Sequence, residues 1–288
     1  MVNKLKWQIR GGRHIPAPLV FAIINLTPDS FYDGGSHENS GLTIARCKSL
    51  VENGVHGLDL GAESTRPGSN SPSPHTEWER LKEVLSGVVS LKKKYPGLAV
   101  SVDTYNSETA SKSLEAGADI INDVSAFEFD SRLKDVLFEH RPGYVLMHSQ
   151  GRPETMQNAP MYGDVVTEVK SFLASKIDVL LAGGFPEENI IIDPGIGFGK
   201  TLEHNLAILN NLDAFYSLGR PLYLGLSNKS LFGDLLGLKV DERKCATQVA
   251  TALLAKQKIY AHRVHDALET LNTLKIVESM CQATDSRA

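Results

Sequence analysis

The sequence predicts a single (β/α)8 barrel, the TIM-barrel fold class, over its 288 residues. Short apolar runs typical of strands buried on both faces alternate eight times with helical patterns, at roughly 30 residues a repeat. No change of composition divides the repeats, which favours one domain. A doubly wound open sheet is the alternative, but eight repeats of this length suit a closed ring better. We expect a core over about 17–281 and a polar tail over 282–288.

The eight predicted strands are continuous runs of aliphatic residues. Each run stops at glycine, proline or a polar residue, as buried parallel strands do. The runs occupy residues 19–24, 57–61, 98–103, 119–124, 144–148, 189–193, 221–226 and 259–264.

Amphipathic segments follow the strands and predict the helices. In the clearest of them Trp78, Leu81 and Leu85 lie on one stripe, with Pro96 beyond the end. Asn106 is expected to cap the helix that follows the third strand. The predicted helices cover residues 41–52, 77–94, 107–117, 131–139, 165–182, 202–212, a pair within 231–256, and 266–280.

Composition narrows the class of protein. Hydrophobic residues make up 42% and charged residues 22%, which is ordinary for a globular protein. There are 30 Lys and Arg against 34 Asp and Glu, so the balance of charge does not favour nucleic acid as a partner. We interpret the three cysteines, Cys47, Cys245 and Cys281, as small buried hydrophobic residues in a reducing compartment. There is no signal-peptide core or apolar run of about 20 residues, so we expect a cytoplasmic protein without a membrane partner.

Residues capable of chemistry stand at or just past the carboxyl ends of the predicted strands. Taken singly, Asp103 or Asp193 could be a helix cap, Asn122 a turn residue, and Arg263 with His265 a surface pair. In a barrel, however, these strand ends converge on the face that carries the site. The residues placed in this way are Asn25, Glu63, Ser64, Thr65, Arg66, Asp103, Asn122, Met147, Asp193, Lys229, Arg263 and His265.

Their chemistry fits a flat polar heterocycle attached to an anion. The side chains of Asp103, Asn122 and Asp193 can meet the donors and acceptors of a ring edge, and Met147 and Phe198 could contact its faces. Positive charge from Lys229, Arg263 and His265 suits a phosphate or a ring carbonyl. Asn25 is a weak oxygen ligand, compatible with Mg²⁺ that keeps most of its waters.

Eight motifs occur in order along the chain and together resemble the dihydropteroate synthases, a family of folate-pathway enzymes, over nearly the whole length. They are NLTPDSF at 25–31, DLGAESTRPG at 59–68, SVDT at 101–104, IND at 121–123, MH at 147–148, DPGIGFGK at 193–200, SNK at 227–229 and RVHD at 263–266.

The resemblance implies a transferase that joins 6-hydroxymethyl-7,8-dihydropterin diphosphate to 4-aminobenzoate and releases diphosphate. By that likeness the catalytic residues are Asp103, Lys229 and Arg263. The implied pterin-binding set is Asp103, Asn122, Met147, Asp193, Phe198, Gly225 and Lys229. The residues implied to bind diphosphate are Asn25, Arg66, Arg263 and His265, and Asn25 is implied to bind Mg²⁺. The residues implied to bind 4-aminobenzoate are Phe31, Thr65, Pro67, Lys229 and Ser230.

The likeness also implies a homodimer through the last helices and competition by sulfonamides. We expect a dissociative substitution in which diphosphate leaves before the arylamine attacks, a reaction that needs no protein nucleophile, and none is evident. Three positions depart from the family pattern: Asn228 in place of arginine, Ala62 in place of glycine, and His262 in place of an aliphatic residue. The alternatives are a non-catalytic pterin-binding paralogue, supported by Asn228 alone, and a methyltetrahydrofolate-dependent methyltransferase with the same barrel.

Overall fold

The computed structural model describes residues 5–26, 36–63 and 72–285. Within them the strands are β1 (Gln8–Ile9), β2 (Arg13–His14), β3 (Leu19–Asn25), β4 (Gly57–Gly61), β5 (Ala99–Asp103), β6 (Ile120–Asp123), β7 (Gly143–Met147), β8 (Ile190–Asp193), β9 (Tyr223–Leu224) and β10 (Ala261–Val264). The α-helices are α1 (Ser36–Glu52), α2 (Pro74–Leu91), α3 (Ser107–Glu115), α4 (Leu133–His140), α5 (Val165–Ala182), α6 (Leu202–Asn210), α7 (Asp213–Tyr216), α8 (Ser230–Leu236), α9 (Lys244–Ala255) and α10 (Ala267–Asp285).

The eight strands β3 to β10 form one parallel sheet in the order β8-β7-β6-β5-β4-β3-β10-β9. Its two ends meet through a parallel bridge between Ile192 and Leu222, where the Ile192 N–H donates to the Pro221 carbonyl at 3.0 Å. The predicted (β/α)8 ring is therefore confirmed. Ring closure brings the carboxyl ends of all eight strands to one face.

Several boundaries differ from the predictions. The seventh strand of the ring, β9, has two residues and is shorter than the predicted 221–226. At its start, Pro221 has no N–H to donate to the neighbouring strand. α2 begins early, at Pro74, since the Ser73 hydroxyl accepts from the Thr76 N–H at 3.2 Å. α10 continues to Asp285, into the segment expected to be a tail.

The expected capping role of Asn106 is wrong. This residue does occupy the position before α3, but its side chain makes no capping hydrogen bond. It donates instead to the buried Glu77 carboxylate at 2.8 Å, and Asp130 accepts from the Ser107 N–H at 3.0 Å. A carboxylate from a neighbouring loop thus replaces the local cap.

A hairpin that sequence reasoning missed closes the amino end of the ring. β1 and β2 pair antiparallel, and the Trp7 side chain packs inside the barrel with no exposed surface. Its indole N–H donates to the Asn189 carbonyl at 2.9 Å. The buried core therefore begins before residue 17. Two-residue strands carry too few positions for a period to be read from sequence.

The helices cover the outer surface of the ring. Outward residues such as Leu58 and Leu60 join the main apolar core with α2, α3 and α5. Cys47 lies in this core, and burial raises the pKa of its thiol to about 12. Cys245 and Cys281 are exposed on α9 and α10, so the expectation of burial is wrong for both. Among helices within the described ranges, none has the length and apolar character to span a membrane.

Candidate active site

Inside the ring, the side chains change from apolar to polar within two residues along three of the strands. Because side chains alternate between faces, residues two apart on a strand point to the same side. Three strands pass in this way from Ile120 to Asn122, from Ile191 to Asp193 and from Ala261 to Arg263. The polar member of each pair lies toward the carboxyl end. The sequence thus builds an apolar floor with a charged pocket above it.

A pocket opens at this end of the ring. Six of the seven predicted pterin-binding residues line it, and the seventh, Asp103, is bonded to the lining residue Arg263. The joint placement that the sequence predicted is therefore present. The lining residues are Asn122, Val124, Met147, Asp193, Ile196, Phe198, Gly225, Lys229 and Arg263.

Asp59 organises the floor of the pocket, although it was not among the predicted site residues. Its fully buried carboxylate accepts from Ser101 Oγ at 2.5 Å, from Asn122 Nδ2 at 3.0 Å and from Arg263 Nε at 2.5 Å. Arg263 in turn donates through Nη2 to Asp103. A carboxylate at an inward position of an apolar run was the available sequence signal, since such burial needs partners.

The two predicted carboxylates have raised pKa values. Burial raises the pKa of Asp103 to about 7; Arg263 opposes this shift, and the negative charge of Asp59 adds to it. Burial also raises the pKa of Asp193 to about 6, against the lowering effects of the Gly195 N–H and the charge of Lys229. Both acids therefore titrate close to neutral pH, which is characteristic of functional carboxylates.

Lys229 supplies positive charge beside these acids. Its ammonium lies 4.0 Å from the centroid of the Phe198 ring, a cation–π contact that joins the β8 and β9 loops. Burial lowers its pKa to about 8, opposed by Asp193. The side chain is consequently still cationic at neutral pH and can meet a phosphate or carbonyl oxygen.

A buried ammonium holds the loop after β8. Lys200 Nζ donates to the Gly195 and Phe198 carbonyls at 2.9 and 3.0 Å and lies 2.9 Å from His148 Nδ1. Burial lowers the pKa of His148 to about 2, so its imidazole is neutral and accepts. Gly195 has a φ of +72°, and an added Cβ there would lie 1.8 Å from the His148 carbonyl oxygen. The sequence analysis missed this lysine because its partner is 52 residues away.

The β7 loop supports the same wall. Gln157 donates to the Gly197 carbonyl and the Tyr162 hydroxyl to the Gly199 carbonyl, each at 2.8 Å. On the opposite side, the Tyr105 hydroxyl donates to Glu63 at 2.9 Å, at the edge of the described chain. Hydrogen bonds between loops therefore stabilise both walls of the pocket.

The remaining predicted residues lie around the rim or outside the described part. Asn25 is exposed at the carboxyl end of β3, and Ser230 is exposed at the start of α8. His265 lies beside the Lys229 loop, with Nδ1 3.0 Å from Ser227 Oγ. Phe31, Thr65, Arg66 and Pro67 fall outside the described residues.

At the departure from the family pattern, Asn228 has a left-handed φ of 57°, which asparagine tolerates better than most residues. Arg243 donates to the Asn228 carbonyl at 3.1 Å, so a guanidinium from α9's amino end still lies against this loop.

The donor set fits a substrate-bound Mg²⁺ better than a resident metal. Asn25 offers one exposed amide oxygen at the pocket rim. Across residues 5–26, 36–63 and 72–285, no three His, Cys, Asp or Glu side chains are grouped to hold a metal ion. Mg²⁺ commonly retains its waters and takes one or two protein ligands together with substrate phosphates.

Fold and site together define a pterin-binding barrel, and the family model for pterin binding enzymes matches residues 21–265. The dihydropteroate synthase of Bacillus subtilis is 36% identical over 262 residues, covering 91% of this chain and 88% of that protein. The chain belongs to the dihydropteroate synthase family of transferases.

Solved structures agree. The Yersinia pestis dihydropteroate synthase with a sulfonamide drug complex matches with a TM-score of 0.87 and 32% identity, covering 96% of this chain and all of that one. The Xanthomonas albilineans enzyme in complex with 7,8-dihydropteroate gives a TM-score of 0.82 at 32% identity, over 94% and 98% of the two chains.

Proposed function

We propose that this chain condenses 6-hydroxymethyl-7,8-dihydropterin diphosphate with 4-aminobenzoate, giving 7,8-dihydropteroate and diphosphate for folate biosynthesis. The main support for this proposal is the pocket, where Asp103, Asn122 and Asp193 lie close to the cations Lys229 and Arg263. The acceptor atoms suit the N–H groups of an aminopyrimidine ring. The cations suit its carbonyl and the attached phosphates.

The chemical step follows from this division of charge. As the bond to diphosphate breaks, Lys229, Arg263 and His265 stabilise the negative charge on the leaving group. Asp103 stabilises the delocalised pterin cation that remains. The arylamine nitrogen then attacks the exocyclic carbon and releases one proton, which the departing diphosphate or solvent accepts. Bound Mg²⁺ would neutralise further charge on the diphosphate, with Asn25 as its protein ligand. No nucleophile from the chain is required.

The aminobenzoate half of the site is proposed from sequence. We assign it to Phe31, Thr65, Pro67, Lys229 and Ser230, with Arg66 beside the diphosphate. A sulfonamide complex of the Yersinia pestis relative supports competition by such compounds at the same place in this chain.

A homodimer through the last helices is part of the proposal, as is a cytoplasmic location. Four large apolar side chains are more than half exposed on α9 and α10: Val249, Leu253, Ile276 and Met280. The two helices pack against each other, and exposed apolar side chains on neighbouring helices are compatible with a protein interface. A second copy of the chain would cover it.

The test is diphosphate release by purified protein with the pterin diphosphate and Mg²⁺, with and without 4-aminobenzoate. We expect release that requires 4-aminobenzoate and falls at least about 100-fold in Lys229→Ala, because a preorganised cation is lost. Lys93→Ala, which removes an exposed lysine at the opposite end of the barrel, should leave the rate unchanged. Tight pterin binding without turnover in the wild type would instead identify the non-catalytic paralogue.

Mg²⁺ dependence is measured separately. Chelation should slow diphosphate release, and Asn25→Ala should raise the Mg²⁺ concentration needed for half-maximal binding of the pterin diphosphate. Binding of the free hydroxymethylpterin, which has no phosphate, should not respond to either change. Equal Mg²⁺ requirements in the two proteins would remove Asn25 as the ligand.

A further inference from the structure

The side-chain amide of Asn122 has a fixed orientation. Its Nδ2 donates to Asp59 Oδ2 at 3.0 Å, in a location where both side chains are buried. When the nitrogen of a side-chain amide donates to one neighbour, the amide oxygen points away from that neighbour. Because Asn122 lines the pocket, that oxygen is available to the ligand.

The contacts of Asp59 disfavour the opposite orientation of the Asn122 amide. The same Oδ2 atom accepts from Arg263 Nε at 2.5 Å, and Ser101 Oγ donates to Oδ1 at 2.5 Å. Asp59 therefore accepts from a guanidinium through Oδ2 and from a hydroxyl through Oδ1, and it acts as an acceptor in each of these contacts. Asn122 therefore gains nothing by turning its oxygen toward Asp59, since two acceptors would then face each other.

The strand register places a second acceptor beside the first. Asp103 of β5 is paired with Asn122 of β6, and the Asp103 carboxylate is bonded to Arg263. Asp59 contacts both Asn122 and Arg263, so one buried carboxylate anchors two side chains that line the pocket. Its own position on β4, paired with Ser101 of β5, keeps it below the pocket and out of the lining.

We infer that Asp59 is a positioning residue that orients the Asn122 amide oxygen into the pocket, so that this point of the site selects a ring N–H donor. This role rests on the proposed function and specifies which kind of ligand atom, an N–H donor, the Asn122 side chain recognises. Asp59 acts through Asn122 and touches no substrate.

The first variant is Asp59→Asn, which replaces a group with only acceptors by one that can also donate. Its amide can donate to Asn122 Oδ1, which lets the Asn122 nitrogen turn into the pocket against a ring N–H. We expect the pterin diphosphate KM, and the Kd of the free hydroxymethylpterin, to rise about tenfold or more, as expected for a mispaired buried group. The KM for 4-aminobenzoate should change less than about threefold.

The decisive variant exchanges the two groups, Asp59→Asn with Asn122→Asp. The amide at 59 can then donate only to a carboxylate, whose oxygens face the pocket as acceptors, while the formal charge of the pair is unchanged. We expect most of the pterin affinity to return. Thr251→Ala, which removes a buried hydroxyl that donates to the Thr247 carbonyl on α9, serves as the matched control and should bind pterin within about threefold of wild type.

Thermal melting of each protein separates folding from recognition. If Asp59→Asn does not fold, the exchange is compared with Asn122→Asp alone, which sets two carboxylates against each other and should bind pterin more weakly. An exchange that binds no better than the single variant, or an unchanged pterin Kd in Asp59→Asn, would overturn the inference. Because the Kd needs no turnover, failure of the wild type to release diphosphate would count against the proposed function alone.

Discussion

The two ends of the barrel interior are built from the same strands and do opposite things. At the amino end Trp7, Phe21 and Tyr223 pack with ring centroids 5.8 to 6.5 Å apart, within a cluster of buried apolar side chains. At the carboxyl end Asp59, Asp103 and Arg263 form a buried ionic network. Two residues along a strand, roughly 7 Å, separate the two regions.

Stability and chemistry are concentrated at opposite ends of this ring. Aromatic burial at the amino end needs no ligand and stabilises the fold by removing apolar area from water. The charged end must keep acids and bases out of water, which is costly, and each of its charges is tied to a partner. A substitution at the amino end should therefore affect stability, and one at the carboxyl end should affect activity.

The largest expected effect is on stability, from Trp7→Ala. Loss of a fully buried indole and of its hydrogen bond to Asn189 should lower the free energy of unfolding by about 3–5 kcal/mol. At temperatures where the variant is folded, kcat/KM should equal that of wild type. Trp78→Ala, which truncates a half-buried tryptophan on α2, should cost less in the same denaturant titration. A loss of kcat/KM in folded Trp7→Ala would break the separation of the two ends.

The next effect concerns a polar group outside the charged end. His262 is buried on the outer side of β10, its Nε2 has no hydrogen-bond partner in the described structure, and burial lowers its pKa to about 4. The unfolded chain takes up this proton near pH 6.5, so stability falls as pH drops from there toward 4. Between pH 7 and pH 5 the loss should be about 2 kcal/mol.

His262→Val should remove that part of the acid sensitivity in denaturant titrations at the two pH values. The exposed His75→Ala serves as control and should leave the dependence as in wild type. An unchanged slope in His262→Val would mean that the imidazole is solvated in the folded protein.

The smallest effect is the pH profile of the charged end. Asp193 and Asp103 have pKa values of about 6 and 7, and Lys229 about 8. Protonated acids lose their acceptors and a neutral Lys229 loses its charge, so kcat/KM for the pterin diphosphate should fall below about pH 7 and above about pH 8. The acid limb should become steeper below about 6, where both acids are protonated, and the basic limb should approach tenfold per pH unit. Trp7→Ala should melt at a lower temperature than wild type but show the same two limbs of the pH profile.

Sequence reasoning reached the ring and most of the pocket for one physical reason. In a parallel ring the residue after each apolar run must lie at the carboxyl face, so Asn122, Asp193 and Lys229 could be placed together without knowing any contact. Asp59 and Lys200 could not be assigned, because their roles depend on partners such as His148 that are distant in sequence. The aromatic plug was missed because β1 and β2 are too short to carry a period.

Ring closure has a consequence for motion. In the described chain the junction of β8 with the β9 segment carries one bridge, from Ile192 to Leu222, whereas β3 and β4 share five register pairs. Directly above that junction, Lys229 of one side lies over the Phe198 ring of the other. A heterocycle in contact with both side chains would stabilise this junction, which has the fewest register pairs in the ring. Amide hydrogens beside the junction should then exchange fastest among the sheet amides without ligand, and slow most when pterin binds.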